Sequence, residues 1–229
     1  MKLDNKRTIL TGFAFLSICA FWQMYNSIVP LILTNTFHLN ETYSGAIMAA
    51  DNILALFLLP LFGSISDRTN TKIGKRMPFI LFGTGLAIIL MNILPLLDNS
   101  YAAQPSGFKT ASFVIVLGLL LVAMGTYRAP AVALMPDVTP KPLRSRANAI
   151  INLMGAVGGI LYLGVAAVLY PNSKTAGVEH VNYQPLFIVV SAIMFLAIAV
   201  LFLTIKEPKL TAENQALEKQ HPEWNLAQD

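Results

Sequence analysis

A single arginine interrupts the apolar run Gly125-Thr-Tyr127-Arg128-Ala-Pro130-Ala-Val-Ala-Leu-Met-Pro136-Asp137. On a helix, Arg128 lies nine residues from Asp137, or about 13 Å along the axis at 1.5 Å per residue. That depth exceeds the reach of a snorkelling side chain. A guanidinium left in hydrocarbon costs a few kcal/mol, so this one must face a polar cavity. There it can fork onto a carboxylate or onto two vicinal hydroxyls. A carboxylate occurs in a second apolar run, Ala49-Ala50-Asp51-Asn52-Ile53-Leu54. Acids inside apolar spans are rare and tend to serve proton transfer or ligand contact. Asp51 is therefore the candidate for proton coupling, its plainer alternative being a hydrated acid near the mouth of the bundle. It stands sixteen residues from Asp67, about 24 Å along a helix, which sets it roughly 10 Å from Arg128 in depth and argues against a permanent ion pair. A third run reads Phe21-Trp22-Gln23-Met24-Tyr25-Asn26. Gln23 and Asn26 fall three apart on one helical face, as do Trp22 and Tyr25. Aromatic rings stack on C–H faces and amides bind hydroxyls, a combination that suits a polyol pocket. The same residues serve equally well as interhelical amide contacts and lipid-facing rings.

These side chains need helices to hold them. The 229-residue chain is 55% hydrophobic and 12% charged, about half the charge of a soluble domain. Six stretches, 8–34, 43–62, 78–97, 111–135, 147–170 and 185–205, each meet the roughly 20 apolar residues that a bilayer crossing requires. The expected fold is an all-α membrane protein: a six-helix bundle over 1–205, with a polar, solvated tail over 206–229 that holds at most a short amphipathic helix. Pro208 should end the sixth helix. The first stretch is long enough to span and lacks a small-residue cleavage site, so it reads as a helix and not as a removable leader.

Charge orients the bundle. With the N-terminus inside, Lys2, Lys6, Arg7, Arg68, Lys72, Lys75, Arg76, Lys141, Arg144, Arg146, Lys206, Lys209 and Lys219 share one side, leaving Lys109 and Lys174 on the other. The positive-inside rule then places both termini in the cytoplasm. In this setting the net charge of +4 does not point to nucleic acid. The one cysteine, Cys19, builds neither a disulfide nor a metal site and reads as a small packing residue. No catalytic, phosphate-binding or metal motif is present, so neither an enzyme nor a cofactor is expected.

The most specific signal lies between the second and third stretches: Gly63-Ser-Ile-Ser-Asp67-Arg68-Thr-Asn-Thr-Lys72-Ile-Gly74-Lys75-Arg76-Met-Pro78-Phe79-Ile80. Gly63 should let another helix approach. Asp67 can accept from a helix N-terminus, and Arg68 can fork onto a carboxylate in a neighbouring loop. Beyond the fourth stretch comes Pro140-Lys-Pro142-Leu-Arg144-Ser-Arg146-Ala147-Asn148-Ala149. One charge cluster of Asp137, Arg68 and Arg144 or Arg146 is expected there, with Gly74, Lys75 and Arg76 in the same loop. It would act as a latch that biases two states. Ordinary topogenic charge is the alternative. Asn92 reads as packing glue, and Gly155, Gly158 and Gly159 as points of close helix approach.

The Gly63-to-Arg76 segment resembles the loop signature of major-facilitator transporters. The continuation R-x-P-F-I, Pro60 before the loop and the R-A-N-A segment at 146–149 look most like the sucrose-transporter-like and glycoside–cation symporter families. The resemblance implies the N-terminal six-helix half of that fold, with a possible three-plus-three repeat, and secondary active transport of a disaccharide or glycoside by alternating access at the plasma membrane. It implies that Arg128 contributes to substrate binding and coupling, although two extra residues and two prolines separate it from Asp137 in this chain. Sodium-coupled relatives carry two acids in the second helix where this chain has Ala55 and Leu59, so that sodium site is missing and H+ is preferred over Na+. The partners implied are a sugar, a coupling cation, the lipid bilayer and a second six-helix half, supplied by a split gene product, a separate chain or a homodimer. A truncated or non-transporting subunit, or a transporter of another solute, is the alternative.

Overall fold

The computed structural model describes residues 2–225, so Met1 and residues 226–229 of the expected tail lie outside the described residues. All regular structure among them is helical. Helix α1 spans Asn5–Leu31, capped by the Asp4 carboxylate on the Arg7 N–H, and runs on as a π-helical turn, Ile32–Thr36. Helix α2 is Glu41–Arg68, capped by Asn40 on the Tyr43 N–H. Helix α3 is Met77–Ala103, α4 Gly107–Val138, α5 Arg144–Leu169 and α6 Gln184–Thr204. Each of these six is long and apolar enough to cross a bilayer. Helices α2 to α4 run past the expected stretches because polar turns at both ends prolong each helix beyond its apolar middle, while α6 matches its stretch to within one residue.

Helix α1 is the central strut, packed on α5 and α6, while α3 packs on α4 and α6, and α2 on α4. Close approach sets this order. A Cβ on Gly158 would stand 2.1 Å from the Leu16 carbonyl oxygen, and one on Gly155 2.9 Å from Cys19 Sγ, so small residues let α1 and α5 touch backbone to backbone. Gly159, expected to do the same, faces open space. Asn92 Nδ2 donates to Ser191 Oγ at 2.6 Å, joining α3 to α6. Phe21, Phe113, Tyr127 and Phe187 fill the core, and the Tyr127 hydroxyl donates to the Ala14 carbonyl at 2.8 Å. Large apolar side chains also point outward, among them Leu56, Phe57, Ile160 and Phe195, each more than 60% exposed. Lipid or another apolar surface must cover such faces.

The tail departs from expectation. Helix α6 stops at Thr204, and Pro208 lies in the first turn of a further helix, α7, Glu207–Gln220. Proline is tolerated there because first-turn N–H groups lack helical acceptors anyway. Helix α7 packs against α4 and is not free in solvent: Glu207 and Asn214 are buried.

Candidate functional site

Two constellations emerge, one within the bundle and one at its basic end. In the first, Arg128 comes from α4, Trp22 from α1 and Asp51 from α2, around a cavity of about 20 Å³ that Ala55, Leu59 and Gly125 also line. That is room for about one water molecule. Gly125 makes the approach possible, since a Cβ there would stand 3.1 Å from Leu58 Cβ. The Arg128 guanidinium lies 5.5 Å from the centroid of the Trp22 ring and makes no ion pair or hydrogen bond with described residues. Trp22 is itself held edge-on by Phe21 and Tyr25, with centroids at 5.3 and 5.2 Å. Arg128 and Asp51 thus line one space without forming an ion pair.

The polar atoms around this cavity lack partners. Asp51 Oδ1 and Trp22 Nε1 are buried and unbonded. Buried polar atoms are rarely left unsatisfied, and exceptions cluster where a ligand, ion or water belongs. The site offers a cation, an acceptor and an indole donor beside an aromatic face. Those groups can bind hydroxyls or an anion.

The α1 candidates separate. Trp22 meets Arg128, and Tyr25 is buried in the core. Gln23 and Asn26 are exposed on another face, without polar partners among the described residues. A helical offset of one residue turns a side chain by about 100°, which takes Gln23 away from the cavity that Trp22 lines. Ala55 and Leu59 line the cavity where acids would be needed for the second-helix sodium site.

At the basic end the expected cluster of Asp137 with Arg68 and Arg144 or Arg146 does not form among the described residues; Lys75 and Arg76, from the loop before α3, take those places on Asp137. Arg76, not Arg68, joins the two acids: its Nε donates to Asp137 Oδ2 at 2.8 Å, and its Nη2 pairs with Asp67 Oδ1. Lys75 Nζ adds a contact to Asp137 at 3.2 Å. Arg76 also donates through Nη1 to Ser66 Oγ, and its side chain is only 5% exposed. Arg68 and Arg146 are exposed and form no ion pair among the described residues. Arg144 turns to the end of α4 and to α7, donating to the carbonyls of Pro136 and Thr139 and to Glu218 Oε1 at 2.9 Å. The loop reverses just before Arg76, which aims that side chain back at α2 and α4, whereas Arg68 ends α2 on its outer face.

Gly63 and Asp67 also differ from expectation. A Cβ on Gly63 would meet nothing within 4 Å, so no helix approaches there among the described residues. Asp67 is spent on Arg76, and the acceptor at the N-terminus of α3 is Glu207. Its Oε1 accepts from the Lys75 and Arg76 N–H groups at 2.8 and 2.9 Å, and its Oε2 from Met77 N–H at 2.8 Å. A carboxylate there meets unpaired donors and the positive end of the helix dipole. Asn214 adds a donation to the Asp137 carbonyl at 3.1 Å, and Arg7 pairs with Glu213 at 4.0 Å. Sequence reasoning missed Glu207, Asn214 and Glu218 because a polar tail without apolar periodicity looks solvated. A signal was available in Glu207-Pro208, an acid and a proline that favour a helix start.

The family model described as Major Facilitator Superfamily matches residues 11–226. Sucrose transport protein SUC3 of Arabidopsis thaliana is 33% identical over 158 residues, which cover 64% of this chain and 26% of that protein. The alpha-ketoglutarate permease of Escherichia coli (strain K12) is 26% identical over 178 residues, covering 76% of this chain and 38% of the permease. YagG of the same organism, whose name describes a glycoside/cation symporter, is 25% identical over 190 residues, covering 82% and 40%. The chain thus spans less than half the length of these curated relatives.

Proposed function

The chain belongs to the Major Facilitator Superfamily, a family of multi-pass membrane transporters, and on that premise we propose that it is the N-terminal half of a sugar–cation symporter. It works with a second six-helix half, from another chain or another copy, and with H+ as the coupling ion. In this reading both termini lie in the cytoplasm at the plasma membrane. Arg128 and Trp22 hold a disaccharide or glycoside, Gln23 and Asn26 reach it from the open face of α1, and Asp51 exchanges the proton. The basic-end network of Asp67, Arg76, Asp137 and Glu207 is the latch that alternates with the opening of the inner face.

The observation that carries this reading is the unpaired Arg128 guanidinium over Trp22, beside the unbonded Asp51 oxygen. A charge held at such depth without a counter-ion is costly and is retained where a ligand supplies the missing contacts. Ala55 and Leu59, in place of acids, favour a proton over sodium. The outward apolar faces of α2 and α5 favour a second half. Names among the relatives add sucrose transport and glycoside/cation symport.

The test is uptake of labelled sucrose into vesicles under an imposed pH gradient, with the chain alone and with a second half supplied. Uptake that needs the second half, and is lost in Arg128→Ala, is the expected result. Normal sugar binding and coupling in that variant would sink the assignment. The permease relative favours a second reading, in which Arg128 meets an organic carboxylate; competition by 2-oxoglutarate but not by sugars would select it.

A further inference from the structure

One buried acid has no place in either constellation. Asp98, near the end of α3 opposite the basic end, is fully buried, and neither carboxylate oxygen accepts a hydrogen bond of good geometry among the described residues. Its neighbour is His180, in the loop between α5 and α6, with Nε2 at 3.9 Å from Asp98 Oδ2. The imidazole bridges two further elements: Nε2 lies 2.9 Å from Asn99 Oδ1, and Nδ1 3.4 Å from Thr36 Oγ1 on the π turn. The loop is stitched down nearby, where Asn99 Nδ2 donates to Asn182 Oδ1 at 2.9 Å and the Tyr170 hydroxyl to the Asn182 carbonyl at 2.8 Å.

We propose that Asp98 and His180 form a second proton-binding site, separate from Asp51, whose occupancy fastens the α5–α6 loop to α3 and to the π turn. The proton comes from bulk water through His180, whose side chain is 24% exposed while that of Asp98 is 0% exposed. With the proton on, both ring nitrogens donate, to Asn99 and to Thr36, and the positive charge faces the carboxylate. With it off, one ring nitrogen only accepts, and a buried carboxylate loses its counter-charge, an unfavourable state that loop opening relieves.

Among the described residues no other charged side chain forms an ion pair with Asp98 or His180. The loop contributes His180, Tyr183 and Glu179, the last exposed; burial first, and then the charge of Asp98, push the Tyr183 phenol up. Helix α5 contributes Tyr162, and Tyr170 caps its end with its ring 5.3 Å from that of Tyr183. The π turn offers Thr36 alone. On α3 itself Tyr101 turns its ring against Phe37, and Lys109 at the start of α4 is tied to the carbonyls of Ser100 and Gln104. The proposal stands apart from the sugar reading, because it is tested without transport.

Backbone hydrogen exchange of the full chain in lipid nanodiscs, at pH 5.5 and 8.5 and corrected for intrinsic rates, is the test. Residues 171–183 should exchange at least tenfold faster at the higher pH. In His180→Gln they should be fast at both values, and in the isosteric Asp98→Asn slow at both, with α1 and α4 protection as the control for folding. Equal exchange at both pH values in the unaltered protein would overturn the proposal, as would a pH difference that survives in Asp98→Asn. That second criterion stands even if His180→Gln fails to fold.

Discussion

A Cβ on Gly74 would stand 2.2 Å from Glu207 Oε2. The glycine and the carboxylate therefore occupy one space, and the loop before α3 is closed by a residue 133 positions later in the chain. Gly74 also has φ +120°, a conformation that L side chains rarely adopt. Backbone geometry and the buried Glu207 require the same residue for two separate reasons.

Gly74→Ala should therefore destabilise the basic end by more than the roughly 1–3 kcal/mol of a strained backbone alone. Thermal unfolding in detergent, with hydrogen exchange of α7, checks this: α7 should lose protection before the six long helices do. Glu207→Gln keeps the shape but removes the charge and turns one accepting oxygen into an NH2 that faces a backbone N–H, and should cost about 1.5–3 kcal/mol.

Among the arginines of the basic end, the effects should divide sharply. Arg76→Gln leaves Asp137 with Lys75 alone and Asp67, which is exposed, without a partner, and should cost about 1.5–3 kcal/mol from the charge-assisted hydrogen bonds lost. Arg68→Gln and Arg146→Gln should fall within about 0.5 kcal/mol of the parent. Equal effects at all three positions, measured by denaturation midpoint, would mean that the network does not hold this end.

Gly158→Ala pushes a methyl into the Leu16 carbonyl, and overpacking of this kind costs about 1–3 kcal/mol or more. Gly159→Ala, one residue on, meets open space and should be neutral or slightly stabilising, since glycine is a poor helix former. A melting comparison of the two variants reads the α1–α5 contact directly.

At the cavity, Trp22→Leu removes the ring beneath Arg128 and should weaken sugar binding about 2- to 30-fold, matching the roughly 0.5–2 kcal/mol of a cation–π contact. Asp51→Asn should leave sugar exchange across the vesicle membrane intact while abolishing accumulation driven by a pH gradient. If accumulation persists in that variant, Asp51 is not the coupling acid.

Much of this was legible in the chain. Six apolar runs required six spans, because no soluble surface can be made from them. The isolation of Arg128 in such a run marked the cavity, since only a polar space tolerates it. Asp137 was legible as the acid of a basic-end cluster, but its joining to Asp67 through Arg76 was not: Arg68 and Arg76 are alike in type, and only the loop reversal beside Gly74 aims one of them inward. The pairing of Trp22 with Arg128, but not of Gln23 or Asn26, likewise depends on how α1 is rotated against α4.

What composition and spacing determined is therefore what solvent dictates: which segments enter lipid, and which charges need an escape from it. Those requirements act on each segment separately and can be read residue by residue. Rotation of one helix against another, the docking of α7, and the meeting of Glu207 with the start of α3 came only with the tertiary structure. They depend on backbone approach between distant segments, set by small residues and by the donors left free at a helix end, and no single segment carries that information.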